Sequence, residues 1–468
     1  MSTIWSTERQ TTSPTRGEHD HRVPFEHDYD RLLFSTPVRR LADKTQVFPL
    51  DRNDAVRTRL THSHEVSNLA RSMGVRLISE GIEFKGMPDS RSVPAILAAV
   101  GLAHDLGNPP FGHQGEAAIG HWFKQQGEEI FKPKGSESRP DLAVPERLWP
   151  EFYEFEGNAQ TLRIVSRLQV AAGGFGLDLT AATLAALLKY TVPCDKRSKD
   201  SASSKKFGYF ESETEIVRWI RTKTGLDEGQ RHPLTWLMEA ADDIAYSVLD
   251  IEDAIRKGII SPDDVMALID HDLPDEYNNT IKFLEKKFKL TREGSFSISE
   301  TREILSSYLR TAFIQKLIDE TIRDYKDYKI NIESFCHSKS LMSESKLLDK
   351  LKSIAKDHVF ITQDVRKIEA DGYKIIGKLM NFYWYAIENR KDVDDLRSRR
   401  TDAKSAYGIS KISDNYLMCA ARGGWAARDG SSLPMRYREL RLLTDMMAGM
   451  TDGYAQTEYE YLKYNEFL

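Results

Sequence analysis

The segment His104-Asp105-Leu106-Gly107-Asn108-Pro109-Pro110-Phe111-Gly112-His113-Gln114-Gly115-Glu116 sets an imidazole beside a carboxylate and follows both with a glycine- and proline-punctuated turn. His62 stands upstream, and the pair Asp242 and Asp243 downstream. Imidazole and carboxylate are borderline-to-hard ligands, so a further His and a further Asp brought in from other helices would close a set around one divalent ion. The chemistry such a set serves is metal-assisted hydrolysis.

Three helical patterns must position these groups. On a helix beginning near Thr61, the apolar stripe is Val66, Leu69, Ala70 and Met73, and His62 lies one turn before Val66 on that same side. His64 instead shares a face with Asn68 and Arg71 and reads as solvated; two residues apart, the histidines cannot aim at one site. The apolar run Ala95–His104 forms a second helix, stopped by Gly107, Asn108 and the paired prolines. An ionised Asp105 at that C-terminus opposes the helix dipole and calls for a nearby cation.

The third helix, Leu234–Ile255, places Asp242, Tyr246 and Asp250 at successive four-residue steps, while Leu237, Ala241, Ile244, Val248 and Ile251 form its core stripe. A tyrosine between two aspartates fits a ligand pocket better than a solvated acidic face. Periodicity leaves the choice between Asp242 and Asp243 open. His113 and Glu116, three apart on a new helix, would touch, so that the carboxylate orients the imidazole and raises its proton affinity, as a general acid or base requires.

The 468 residues suffice for one large or two ordinary domains, and a hydrophobic fraction of 40% supports a substantial core. A formal net charge of −5 argues against a polybasic coat, so an anionic ligand must be met by local cations. The three cysteines, Cys194, Cys336 and Cys419, lack any Cys-x-x-Cys spacing and suggest neither a disulfide framework nor a thiolate zinc site. No apolar leader opens the sequence and no window is long and apolar enough for a membrane span, so a cytoplasmic protein with no membrane partner is expected.

Helical patterns dominate, and an all-α fold is expected. They include Leu179–Leu188, Thr301–Ile318 and Gly372–Ile387; Tyr328–Ile332 is a possible strand. Residues 1–30 read as a polar N-terminal arm, 31–260 as the metal-dependent core, and 261–468 as a helical part packing on that core. Lys134–Asp141 and Lys196–Lys206 read as surface loops, the second locally positive. The stripe Leu442, Leu443, Met446, Met447 and Met450 suits either internal core or a subunit interface.

The His, His-Asp and Asp set resembles that of the HD-domain phosphohydrolases. Within that superfamily, the words Arg57-Thr-Arg-Leu-Thr-His-Ser63, His104-Asp-Leu-Gly-Asn-Pro-Pro-Phe-Gly-His113, Phe155-Glu-Gly-Asn-Ala-Gln160, Leu188-Lys-Tyr190, Met238-Glu-Ala-Ala-Asp-Asp243 and Gly449-Met-Thr-Asp452 are similar to those of the deoxyguanosine triphosphate triphosphohydrolases (dGTPases). The likeness runs in order from about Arg39 to Tyr461.

The resemblance implies an HD-domain helical fold elaborated by C-terminal helices. It implies metal ligands His62, His104, Asp105 and Asp242, with manganese or magnesium as the cofactor; His113 with Glu116, paired by their spacing, is the expected catalytic pair. It further implies substrate contacts from Gln46, Arg59, Asn158, Lys189, Tyr190, Lys206, Tyr246 and Asp250: Tyr246 under the sugar, Asp250 on the 3′-hydroxyl, Gln46 on the nucleoside, and Lys189, Tyr190 and Lys206 on the phosphates. The family's usual Lys-x-Pro-Gly word is here Lys205-Lys206-Phe207-Gly208. The implied reaction is hydrolysis of dGTP or another dNTP to deoxynucleoside and triphosphate by a homo-oligomer such as a hexamer, with single-stranded DNA a ligand of some members. The rival expectations are another HD nucleotide phosphohydrolase and an effector-gated dNTP- or DNA-binding protein.

Overall fold

The computed structural model describes residues 3–11, 20–48, 56–133, 142–170, 176–270, 273–327 and 340–468. Among the described residues every regular element is a helix, and β pairing is limited to isolated bridges. The elements that matter here are α1 (Pro24–Leu33), α2 (Arg59–Ser79), α3 (Ser92–Ala103), α4 (Gly112–Gln126), α5 (Gly157–Arg163), α6 (Ala181–Leu187), α7 (Pro233–Arg256), α8 (Ile298–Asp327), α9 (Lys346–Ile354), α10 (Gln363–Glu388), α11 (Met435–Gly449) and α12 (Asp452–Tyr464). The helices expected from sequence are all present, most extending a few residues further than the periodicity indicated. The possible strand Tyr328–Ile332 and the loop Lys134–Asp141 lie outside the described residues.

Each element of the site begins where its sequence supplies a start signal. Thr58 caps α2 through a reciprocal bond with Thr61. Pro233 occupies the first turn of α7, and the His232 ring accepts from the Leu234 N–H. Phe111 precedes α4 at φ 63°, a left-handed position that lets the Pro-Pro turn reverse sharply into the His113 helix.

The centre of the fold is the crossing of α2, α3 and α7. Gly101 makes it close: a Cβ there would sit 2.7 Å from the Ser67 Cα and 2.9 Å from the Ser67 nitrogen. The Ser67 hydroxyl donates to the Ala98 carbonyl at 2.8 Å across the same contact. The expected core stripe of α7 is buried throughout, from Leu237 to Ile251.

The polar arm expected over residues 1–30 is corrected by packing at both ends. Pro24 opens α1, whose start is fixed by the Val23 N–H donating to Glu26 at 2.7 Å. Further upstream, Trp5 is buried and donates to the Lys85 carbonyl, while the carbonyls of Ser6 and Glu8 accept the first free N–H groups of α6. In the second expected loop, Ala202 and Ser203 are buried despite its polar composition.

The C-terminal helices close over the core: α8 and α9 pack on α7, and α10 packs on α4, α11 and α12. Leu442, Leu443, Met446, Met447 and Met450 are all buried within the chain, which settles that stripe as internal core. A charged lock joins α11 to α5, with the Arg163 guanidinium holding Asp445 at 2.7 Å and Glu213 at 2.8 Å while stacking over Trp425. All three charged groups are fully buried, so removing one partner should cost about 3–5 kcal/mol.

If the α2–α3 crossing sets the fold, Gly101→Val should be disruptive. Its side chain would have to displace backbone, and urea unfolding should show a loss of about 2–3 kcal/mol. Unchanged stability would mean the helices can separate without penalty.

Candidate metal centre

His62 on α2, His104 at the end of α3, Asp105 in the turn that follows and Asp242 on α7 converge at one place. Asp242 Oδ1 lies 3.3 Å from His62 Nε2 and 3.3 Å from His104 Nε2. The two rings are 5.5 Å apart between centroids, and Asp105 Oδ1 is 3.6 Å from His104 Nε2. Ligand atoms of His62, His104 and Asp105 fall within 4.8 Å of one another. Asp243 points elsewhere, to Lys352 of α9 at 3.2 Å, so of the two aspartates Asp242 is the one that faces the histidines.

The donor set fits a divalent cation. His104 Nδ1 bonds the Gly101 carbonyl at 2.7 Å, which directs Nε2 inward, and that buried nitrogen has no hydrogen-bond partner of its own. Two imidazoles and two carboxylates suit manganese, magnesium or a comparable ion. Burial alone would lower the His104 pKa, but Asp105 and Asp242 outweigh it and raise it to about 9. Burial would raise both aspartates; Arg59 and His104 overcome this at Asp105, and the two histidines and Lys189 at Asp242, holding both carboxyls below the usual range. An ion bound here must compete with a proton for the same nitrogen.

The turn after Asp105 is held rigid from several directions. Asn108 donates to Asp105 Oδ1 at 2.7 Å, and Arg59 pairs with Oδ2. Lys44, fully buried, donates to the carbonyls of Asn108 and Ala448, and burial pulls its pKa down to about 7. Asp452 accepts from the N–H groups of Phe111 and Thr45, which ties the turn to the loop carrying Gln46. Among the described residues, Gln46 Oε1 is buried without a hydrogen-bond partner, as is Asp250 Oδ2 on α7. Burial, with Asp253 adding to it, drives the Asp250 carboxyl well above the usual range, toward its protonated form.

His113 and Glu116 meet as expected: Nδ1 is 2.8 Å from Glu116 Oε2, while the imidazole remains open to solvent. The hydrogen bond to Glu116 raises the His113 pKa above its ordinary value. Glu116 is anchored in turn by the Gly157 N–H at 2.8 Å.

Cations gather on the same side. Lys189 lies 3.7 Å from both Asp242 and Glu239, and these carboxylates overcome its burial and keep it charged. Lys206 pairs with Glu156 at 2.7 Å, whereas Lys205 makes no ion pair among the described residues. Asn158 turns to Glu156 at 2.6 Å, so both expected substrate contacts share one acceptor. Tyr190 is buried, and Tyr246 faces Phe360 with ring centroids 5.8 Å apart.

Several neighbours of the site were not singled out in the sequence. Glu156 and Glu239 hold the lysines; Phe360 and Lys352 come from beyond residue 340; Gln114 donates to Glu369 of α10 at 3.1 Å. Glu156 and Glu239 stand inside the quoted words, so their position beside Asn158 and Asp242 was the available signal. Phe360 and Lys352 carry no local signature.

A helical scaffold that brings a His, a His-Asp pair and an Asp from separate helices to one point has the site architecture of the HD-domain phosphohydrolases, and residues 59–148 match the HD domain family model. Over 467 aligned residues the chain is 36% identical to a deoxyguanosinetriphosphate triphosphohydrolase-like protein of Listeria monocytogenes, with 97% of each chain covered. It is 32% identical to the deoxyguanosinetriphosphate triphosphohydrolase of Salmonella typhimurium, with 98% of this chain and 97% of that protein covered. The chain belongs to this triphosphohydrolase family.

Replacing Asp105 by Ala removes a ligand and strands Arg59. Bound manganese, measured by equilibrium dialysis, should weaken by at least about tenfold. His64→Ala should leave it unchanged, because His64 lies on the exposed face of α2. Equal metal affinity in wild type and Asp105→Ala would refute this ligand set.

Proposed function

We propose that this protein hydrolyses deoxynucleoside triphosphates, with dGTP as the preferred substrate, to the deoxynucleoside and inorganic triphosphate. The observation that carries the reading is the His62, His104, Asp105 and Asp242 cluster set beside Arg59 and Lys189, a donor set for one cation flanked by cations for phosphate. The names of the full-length relatives support the substrate class. A manganese or magnesium ion held by those four residues would supply Lewis acidity to the α-phosphate and an activated water.

The chain's own residues do the rest. Arg59, Lys189, Tyr190 and Lys206 hold the triphosphate against repulsion from Asp105 and Asp242. Binding would draw Lys206 and Asn158 away from Glu156, and Arg59 away from Asp105. Tyr246 forms the floor under the deoxyribose, with Phe360 fixing its ring. Asp250 meets the 3′-hydroxyl: a carboxyl kept toward its neutral form can donate to and accept from an alcohol without leaving a buried charge. Gln46 offers its unpartnered oxygen to the nucleoside.

In the reaction, a water oxygen bonds to the α-phosphorus as the bond from phosphorus to the 5′-oxygen breaks. The 5′-oxygen leaves with the deoxynucleoside and takes a proton from His113, whose Nδ1 Glu116 holds, while the attacking water gives up its proton to solvent, from which His113 is reprotonated. Hydrolysis of dGTP in oxygen-18 water should therefore place the label in triphosphate and leave deoxyguanosine unlabelled. Formation of dGMP with pyrophosphate, or label in the nucleoside, would contradict the reading.

A general acid must begin protonated, so the Glu116 contact that raises the His113 pKa extends activity toward alkaline pH. Glu116→Gln removes that support, and the alkaline limb of the kcat profile should move to lower pH, with roughly tenfold or greater loss above neutrality. A limb that stays in place would remove His113 from the acid role.

A further inference from the structure

The outward stripe of α2, His64, Asn68, Arg71 and Val75, follows the four- and three-residue spacing of one helical face. It does not face open solvent alone. It forms one wall of a cavity of about 1040 Å³ whose other walls are α1 and α3 and the residues just before them. That volume accommodates a small organic ligand. None of the four metal-centre residues lines it, and α2 stands between the two sites, with His62 on its buried side.

The lining divides by chemistry. The floor is apolar, made by Pro94, Ala95 and Ala98 of α3, with Val75 left 45% exposed beside it and the Tyr29 ring at one side. The rim carries three guanidiniums, Arg22, Arg71 and Arg91, against two carboxylates, Glu26 and Asp30. Both carboxylates are already engaged: Asp30 pairs with Arg22 at 2.6 Å, and Glu26 with Arg91 at 3.5 Å. Arg22 and Arg91 are further held by Asp20 and Asp89. Arg71 is different, making no ion pair or hydrogen bond among the described residues, and the imidazoles of His21 and His64 stand on the same rim.

An unengaged guanidinium with two imidazoles over an apolar floor recognises an anion attached to an apolar body. A phosphate monoester, with three terminal oxygens, offers more acceptors than a single carboxylate for the guanidinium fork and for imidazole donors on the same cavity. We propose that the cavity between α1, α2 and α3 is a second binding site, for a small phosphate-bearing molecule with an aromatic or apolar body. The site is separate from the metal centre and does not depend on the reaction proposed there.

The test is calorimetric titration of the full chain with 1-naphthyl phosphate, 1-naphthol and inorganic phosphate. One equivalent of 1-naphthyl phosphate should bind to wild type and to Asp105→Ala alike, at least tenfold tighter than either fragment. Arg71→Glu should weaken it tenfold or more, and so should Val75→Trp, whose ring intrudes over the apolar floor. Circular dichroism melting and dGTP hydrolysis should remain those of wild type in both pocket variants. Binding that survives both variants, binding lost in Asp105→Ala, or 1-naphthol binding as tightly as its phosphate would overturn the proposal. So would a change of sedimentation coefficient in Arg71→Glu, which would make this face a contact between copies of the chain.

Discussion

The structure turns on one carboxylate, Asp242, standing 3.3 Å from two imidazoles that belong to different helices. Placing Asp242 and Asp105 in a buried site is costly unless positive charge accompanies them. The chain provides Arg59 and Lys189, and the geometry leaves the inward nitrogen of His104 without a hydrogen bond. The arrangement needs α2 and α3 nearly in backbone contact, which Gly101 permits where the helices cross and Gly74 permits further along. It also needs α7 to lie across both. The three helices that carry these groups cross at the centre of the fold.

The C-terminal helices complete this site rather than ornament it. Lys44 joins the turn after the His-Asp pair to the end of α11, and Asp452 at the start of α12 holds both that turn and the Gln46 loop. Arg163 and Asp445 secure α11 from within. Phe360 then supplies the surface against which Tyr246 rests. Without them the turn and the Tyr246 ring would have no fixed position.

How much of this was legible in sequence follows from the range of each interaction. The inward aim of His62, the outward aim of His64 and the contact of His113 with Glu116 are set by helical spacing, and they emerge as read. The ligand helices show through their apolar stripes and stop signals. Periodicity could not choose between Asp242 and Asp243; the resemblance pointed to Asp242, and the physical reason Asp243 faces away, its pairing with Lys352 more than a hundred residues on, has no local trace. Glu156 and Glu239 hid because a carboxylate beside a lysine leaves no periodic trace. The N-terminal segment looked like a polar arm because its burial rests on Trp5 and on backbone bonds to α6, which composition does not report. The cavity behind α2 was invisible for the same reason: a polar helical face reads alike whether solvent or another helix lies opposite.

The central claim is that two imidazoles from different helices bind one ion together with carboxylates. Pulsed electron paramagnetic resonance on the manganese-loaded protein tests it directly, since each coordinated histidine couples a nitrogen-14 nucleus to the ion. The account predicts couplings from two histidine nitrogens in the wild type and from one in His62→Ala. Manganese bound with no imidazole coupling, or a wild-type spectrum unchanged by His62→Ala, would contradict it.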